Sequence, residues 1–464
     1  MTMSQPSAPT PPLHRVVIVG GGFAGLHTAQ QLRKTAVQVT LIDRRNFHLF
    51  QPLLYQVATG ALSPANIASP LREVLQRQKN TQVLLGEVTD IDVAGRRVIL
   101  EDGEIPYDTL IVAAGASHSY FGNDHWQALA PGLKTIEDAT EIRRRVLSAF
   151  ERAERSDDPE VIHRLLTFVV VGGGPTGVEL AGALGEITRD SLRGNFRNID
   201  PADATIYLVE GAGRVLPPYL PRLSARAADD LQALGVQVRC GTMVTDIGPH
   251  QVTLRCGDAE HIVPTETVIW AAGVRASPLA RQLAAATGVE VDRAGRIDID
   301  AHLNLPGHPE IFVLGDMARG HFAGKPLPGV APVAMQQGDY VGKVLAKRLR
   351  PGASAAPAKP FAYFDWGNMA TIGRGRAVAD LRGLRFGGYL AWLAWLFVHV
   401  LKLVGFENRL LVLTQWAWNY ITRNRTARLI TSASSAGRTG GVVAATIRVA
   451  QEPAAHSATS ALQA

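Results

Sequence analysis

The feature that most limits what this chain can become is a repeated one. Arg15-Val16-Val17-Ile18-Val19 is a β-branched run that enters Gly20-Gly21-Gly22-Phe23-Ala24-Gly25, after which the residues turn helical in character. Far downstream, the apolar run from Leu165 to Val171 enters Gly172-Gly173-Gly174-Pro175-Thr176-Gly177, and Val178-Glu179-Leu180-Ala181-Gly182 opens a second helix. Strand, Gly-x-Gly-x-x-Gly and helix, in that order, is the setting of a dinucleotide-binding fingerprint. Gly20 and Gly172 permit the tight turn, Gly22 and Gly174 let a pyrophosphate reach the backbone, and Gly25 and Gly177 let helix and strand pack closely. Free N–H groups at the positive end of the helix then hold the phosphates. Each unit also has its acid. Gln38 to Ile42 ends in Asp43, followed by Arg44, and Thr205 to Val209 ends in Glu210. Such an acid accepts the adenosine ribose hydroxyls; at Glu210 it repels a 2′-phosphate and favours NADH, although Arg214 nearby keeps NADPH open.

Two complete fingerprints imply two bound dinucleotides. The economical pair is a tightly but non-covalently held flavin, FAD, and a diffusible co-substrate, NADH, because a hydride passes readily between them. Two smaller echoes follow the fingerprints: Thr109 to Val112 runs into Ala113-Ala114-Gly115, and Thr267 to Trp270 into Ala271-Ala272-Gly273. Small residues at these strand ends let the chain cross close to a nucleotide.

Composition narrows the class. With 464 residues, 46% hydrophobic and 19% charged, the chain has room for two or three domains and is not disordered throughout. The net charge of +6 suits anionic lipid or cofactor phosphates. Nucleic acid is not the partner expected, since the basic residues are spread out and concentrate only around an apolar C-terminal stretch. Cys240 and Cys256 are the sole cysteines, so no disulfide scaffold and no metal site is expected. Both lie in alternating, strand-like stretches as small core or edge residues. Met1 to His14 is Pro/Ser/Thr-rich without a signal-peptide pattern and reads as a disordered leader.

The two fingerprints, with Ile311-Phe312-Val313-Leu314-Gly315-Asp316 late in the chain, resemble the two-dinucleotide-domain flavoproteins of the glutathione-reductase-like class. The resemblance implies an α/β fold of two Rossmann-like domains, the second inserted in the first. FAD would be bound by residues 15–125 and 300–345, with Asp316 on its ribityl chain, and NADH by residues 126–299. Disulfide-reducing members carry a cysteine pair beside the flavin; none occurs here before position 240, which argues against disulfide or sulfide chemistry. More specific segments are Phe50-Gln51-Pro52-Leu53-Leu54-Tyr55-Gln56-Val57-Ala58, Ala113 to Gly122, Gly177 to Gly182 and Ala334-Met335-Gln336-Gln337-Gly338. Together they look like the type II, non-proton-pumping NADH:quinone oxidoreductases. That resemblance implies two electrons passed from NADH through FAD to a membrane quinone. It places Glu179 between nicotinamide and flavin as a proton relay or positioning group, Gln336 and Gln337 near the flavin ring and quinone head, and Gln56 among the cofactor contacts. One departure stands out. The family commonly reads Ala-Gln where this chain has Ala331-Pro332, so one amide that would meet a quinone carbonyl is missing.

Beyond an Ala/Pro-rich linker, Pro351 to Pro360, residues 346–430 hold two apolar stretches, Gly387 to Val398 and Leu410 to Tyr420. The first is short for a membrane span, which needs about 20 residues. Trp and Tyr between flanking cations fit a helix pair lying in the headgroup plane, with Arg382, Arg385, Arg409, Arg423 and Arg425 toward anionic lipid. A buried helix or a homodimer contact is the alternative, and a single span is a lesser one. The resemblance implies a peripheral enzyme on the cytoplasmic face of the inner membrane, with residues 431–464 a disordered tail. Two other functions stay open at this point: a soluble NADH-dependent flavin reductase and a flavin-based redox sensor.

Overall fold

The computed structural model describes residues 13–350, 358–422 and 425–431. The expected leader up to residue 12, the linker at 351–357, Arg423 and the expected tail from 432 lie outside the described residues. At its inner end the leader is corrected. His14 opens the first strand, His14–Val19, and its Nε2 lies 2.9 Å from Thr109 Oγ1.

Two parallel sheets form the body. The first has six strands in the order Asn304–Leu305, His308–Val313, Thr109–Val112, His14–Val19, Val37–Asp43 and Thr81–Leu85. All its pairings are parallel except the Asn304–Leu305 edge. Val16 to Val19 are all buried, as a strand covered on both faces must be, which is why the run is apolar without alternation. The second sheet has the order Val236–Cys240, Thr205–Glu210, Thr167–Val171 and Thr267–Trp270, all parallel. Because His308–Val313 returns to the first sheet, the second is an insertion. The chain crosses between them along a paired ribbon, Ala116–His118 antiparallel to Val274–Ala276.

The C-terminal part is a three-stranded antiparallel sheet, Asn368–Gly373, Arg376–Leu381 and Leu384–Gly387, followed by helices Tyr389–Lys402 and Phe406–Thr422. It packs on the helix of the second fingerprint, Pro175–Glu186, through a backbone approach. A Cβ on Gly182 would sit 1.7 Å from the Ile372 carbonyl oxygen, so only glycine lets the sheet come this close. Among the described residues no helix is long and apolar enough to cross a membrane.

Candidate functional site: two nucleotide cradles on one cavity

The two fingerprints fold into the same geometry. Gly20 (φ +105°) and Gly172 (φ +108°) take a conformation that side chains avoid, and a Cβ on either would strike the end of the following parallel strand. A Cβ on Gly25 would lie 1.9 Å from the Gly20 carbonyl oxygen, and one on Gly177 1.8 Å from that of Gly172. Gly22 and Gly174 instead face open space, the room a pyrophosphate needs. The acids brace the loops. Asp43 accepts from Gly21 N at 2.6 Å and from Arg45 N at 2.7 Å; Glu210 accepts from Gly173 N at 2.5 Å and from Ala212 N at 2.7 Å. Both cradles therefore fit dinucleotide phosphates.

A cavity of about 2100 Å³ begins at the first cradle, where Gly20, Gly22, Phe23, Ala24, Asp43 and Arg44 line it. Ala114, Gly115 and Asp316 form its next stretch, and Pro175, Thr176 and Glu179 bring the second fingerprint to its wall. Ala272 and Gly273 are not on that wall; a Cβ at Gly172 would crowd Ala271 and Ala272, and one at Gly273 the ring of Phe121. The cavity continues past Ala331, Pro332, Met335 and Gln336 to Val398, His399, Leu401 and Lys402 on the penultimate helix. Pro332 lies in the first turn of helix Ala331–Arg348, where its missing N–H costs no hydrogen bond.

Two amides expected at the cofactors point elsewhere. Gln337 is buried and accepts from Gly315 N at 2.6 Å, so it braces the turn that presents Asp316. Gln56 is buried as well, donating from Nε2 to Tyr55 Oη at 2.9 Å and accepting from Trp416 Nε1 at 2.7 Å. Gln336 does reach the cavity wall, where its amide makes two 2.9 Å hydrogen bonds to the Phe364 backbone and fixes the segment that carries Trp366.

Glu179 is the most perturbed acid of the site. Burial pushes its carboxyl up to about 8, outweighing the Thr371 backbone and the Trp395 indole, which favour the ionised form. The carboxyl is therefore neutral at pH 7 and holds a proton. Tyr55 beside it is pushed well above the usual phenol range, by burial first and then by Glu179. His48, which the sequence did not single out, packs edge-on against Phe23 with ring centres 5.1 Å apart. Burial lowers it to about 4; as a neutral imidazole it donates from Nδ1 to the Gly21 carbonyl at 3.0 Å and steadies the first loop.

At the C-terminus one member of the expected cation row toward lipid is corrected. Arg425 is buried and donates to Glu186 at 2.6 Å and to Thr59 Oγ1 at 2.7 Å. Arg409 folds back to the Leu403 carbonyl, and Arg382 stacks over the Phe364 ring at 4.5 Å. Trp395 is also not an interfacial aromatic: it is 1% exposed and stacks on His399 at 4.0 Å. What the helices do present outward is apolar. Leu390, Phe397 and Ile421 are 70%, 66% and 78% exposed.

Comparison with known proteins agrees with this layout. Residues 14–338 match the pyridine nucleotide-disulphide oxidoreductase family and residues 366–424 match the NDH2 C-terminal domain. The type II NADH:quinone oxidoreductase Ndh of Mycobacterium tuberculosis is 48% identical over 440 residues, covering 94% of each chain. NdhA of the same organism, bearing the same description, is 46% identical over 425 residues and 90% of each chain. Among solved structures, NDH2 from Plasmodium falciparum in complex with NADH superposes with a TM-score of 0.80 at 21% identity, over 90% of this chain and 100% of that one. The sulfide:quinone oxidoreductase of Aquifex aeolicus has the same fold, with a TM-score of 0.66 at 17% identity, over 89% of this chain and 92% of that one. With one glycine cradle on the cavity, Pro175, Thr176 and Glu179 of the second fingerprint on its wall, no cysteine there and a matched C-terminal domain, the chain belongs to the type II NADH:quinone oxidoreductase family.

Proposed function

We propose that this protein oxidises NADH and reduces a membrane quinone without pumping protons, working from the membrane surface on the cytoplasmic side. The observation that carries the reading is the continuity of one cavity from the first cradle, past the second fingerprint, to the foot of an outwardly apolar helix pair. The first cradle, with Gly20, Gly22, Gly25 and Asp43, would hold FAD, which when bound would supply the transfer of two electrons from NADH to quinone. The chain's own part is chiefly positioning. Gly22 and Gly174 leave room for the two pyrophosphates, and Asp43 and Glu210 end the ribose-binding strands. Glu210 favours NADH over NADPH. Gln337 and His48 hold the Gly315 and Gly21 loops that shape the flavin cradle. Glu179, neutral at pH 7, offers a proton at the wall shared by the cavity and the second fingerprint.

The helix pair supplies the membrane contact. Its exposed Leu390, Phe397, Ile421 and Trp418 insert at the headgroup boundary, and Arg385 and Lys402 face the anionic lipid. Quinone then enters beside Val398 and Leu401. The test is turnover with a long-chain quinone in anionic vesicles. Changing Leu390, Phe397 and Ile421 to Glu is expected to lower vesicle binding and this turnover at least ~10-fold, since each buried apolar side chain contributes about 1.5–3 kcal/mol. Vesicle binding equal to that of the unaltered protein would contradict the proposed docking.

A further inference from the structure

The helix Pro175–Glu186 continues into a π-turn, Ile187–Ser191, and carries Glu179, Ala183, Glu186 and Asp190 along one face at helical spacing. That face borders a second, smaller cavity of about 110 Å³, which meets the large one only at Glu179 and Tyr55. Its rim is the Asp190–Arg374 ion pair at 3.2 Å, beside the exposed Tyr420. Its throat is the Glu186–Arg425 pair at 2.6 Å, and its floor is Glu179 with Trp395. Ala183 lines the chamber on this face, between Glu179 and Glu186.

Two polar atoms of the lining are buried without a hydrogen-bond partner: Trp395 Nε1, a donor, and Asn419 Oδ1, an acceptor. Trp395 is 1% exposed, and its indole N–H lies near enough to Glu179 to favour the ionised carboxyl while falling outside hydrogen-bond geometry. An orphaned donor and an orphaned acceptor in a polar cavity call for water. At roughly 10–15 Å³ for each water by this measure, the chamber has room for several.

We propose that this chamber is a water-filled proton intake that supplies Glu179 from the surface at Asp190 and Arg374. The inference rests on the quinone-reductase reading and adds where its proton comes from. NADH gives up a hydride, which is one proton and two electrons, whereas a quinone needs two of each to become a quinol. One proton per turnover must therefore come from water. The Glu179 carboxyl gives its O–H proton to an oxygen of the quinone as it is reduced, and the carboxylate left behind takes one back from a chamber water. The large cavity is a poor route for that proton because substrates fill it. The chamber reaches the same carboxyl from behind.

Filling the passage tests this. The carboxyl infrared band of Glu179, identified by its loss in Glu179→Gln, is followed in the full-length protein after transfer to D₂O. In Ala183→Leu the exchange of that proton is expected to slow at least ~10-fold, with quinone turnover falling alongside it. Ala183→Val, a smaller insertion, gives the same reading if the leucine variant does not accumulate. A merely structural disturbance opens the fold and speeds exchange, so the sign separates the two explanations. An exchange rate equal to or faster than that of the unaltered protein overturns the proposal. Exchange is read with NAD⁺ and a redox-inert quinone analogue filling the large cavity and without turnover, so it can fail while the quinone-reductase reading stands, and the reverse.

Discussion

Gly25→Val is expected to yield a protein without flavin, and Gly177→Val a protein that keeps its flavin but no longer takes NADH. The same clash acts in two places. A side chain at Gly25 would meet the Gly20 carbonyl oxygen at 1.9 Å, and one at Gly177 the Gly172 carbonyl oxygen at 1.8 Å. Neither oxygen can retreat, since each belongs to the loop that must present its N–H groups to phosphate. Overpacking of an ordinary core site already costs about 1–3 kcal/mol, and the loss here falls directly on the cradle. Flavin absorbance of the purified variants should therefore drop at least ~10-fold for Gly25→Val, and kcat/KM for NADH at least ~10-fold for Gly177→Val. The assignment of the cradles would be wrong if the two variants lost the same cofactor.

Glu179→Gln is expected to leave the cavity's shape intact and to slow quinone reduction by roughly 10²-fold, the lower end of what a positioned proton donor contributes. The pH dependence carries the same signature. The Glu179 carboxyl, held up to about 8 by burial, keeps its proton through neutrality, so quinone turnover should decline as pH rises through 8 and the decline should vanish in the variant. Stability follows with a definite sign. Between the ordinary carboxylate range and pH 8 the folded state binds a proton that the unfolded state has lost. The native protein therefore loses stability as pH rises across that window, by at most about 1.4 kcal/mol per pH unit. Glutamine has no proton to lose. The melting temperature of the variant relative to the native protein should thus increase from pH 6 to pH 8. A difference independent of pH would mean that Glu179 is ionised in the folded protein.

What the sequence could and could not say follows from the range of the forces involved. The cradles were legible because a turn at positive φ, a strand end and an acid on the neighbouring strand are local demands, met by Gly20, Gly25 and Asp43 within one βαβ unit. The amides of helix Ala331–Arg348 were less so. Gln336 and Gln337 are adjacent, and only the rotation of that helix against the flavin domain decides that Gln337 turns inward to Gly315 while Gln336 meets the Phe364 backbone. Gln56 was misleading in the same way, because its partner Trp416 lies 360 residues away. Arg425, among other arginines after an apolar stretch, read as a lipid contact; its partner Glu186 sits on a different domain and draws it into the interior. The acidic row of Glu179, Glu186 and Asp190 has a sequence signal, its helical spacing. Its meaning needed the cavity that this row borders.

One bound flavin is proposed to carry both halves of the reaction. An anaerobic single-turnover experiment on the full-length protein tests it most directly: NADH is added first, then a short-chain quinone, while flavin absorbance is followed. Bleaching by one equivalent of NADH and full recovery of the oxidised spectrum on adding one equivalent of quinone are expected. Bleaching by NADH that quinone fails to reverse would contradict it.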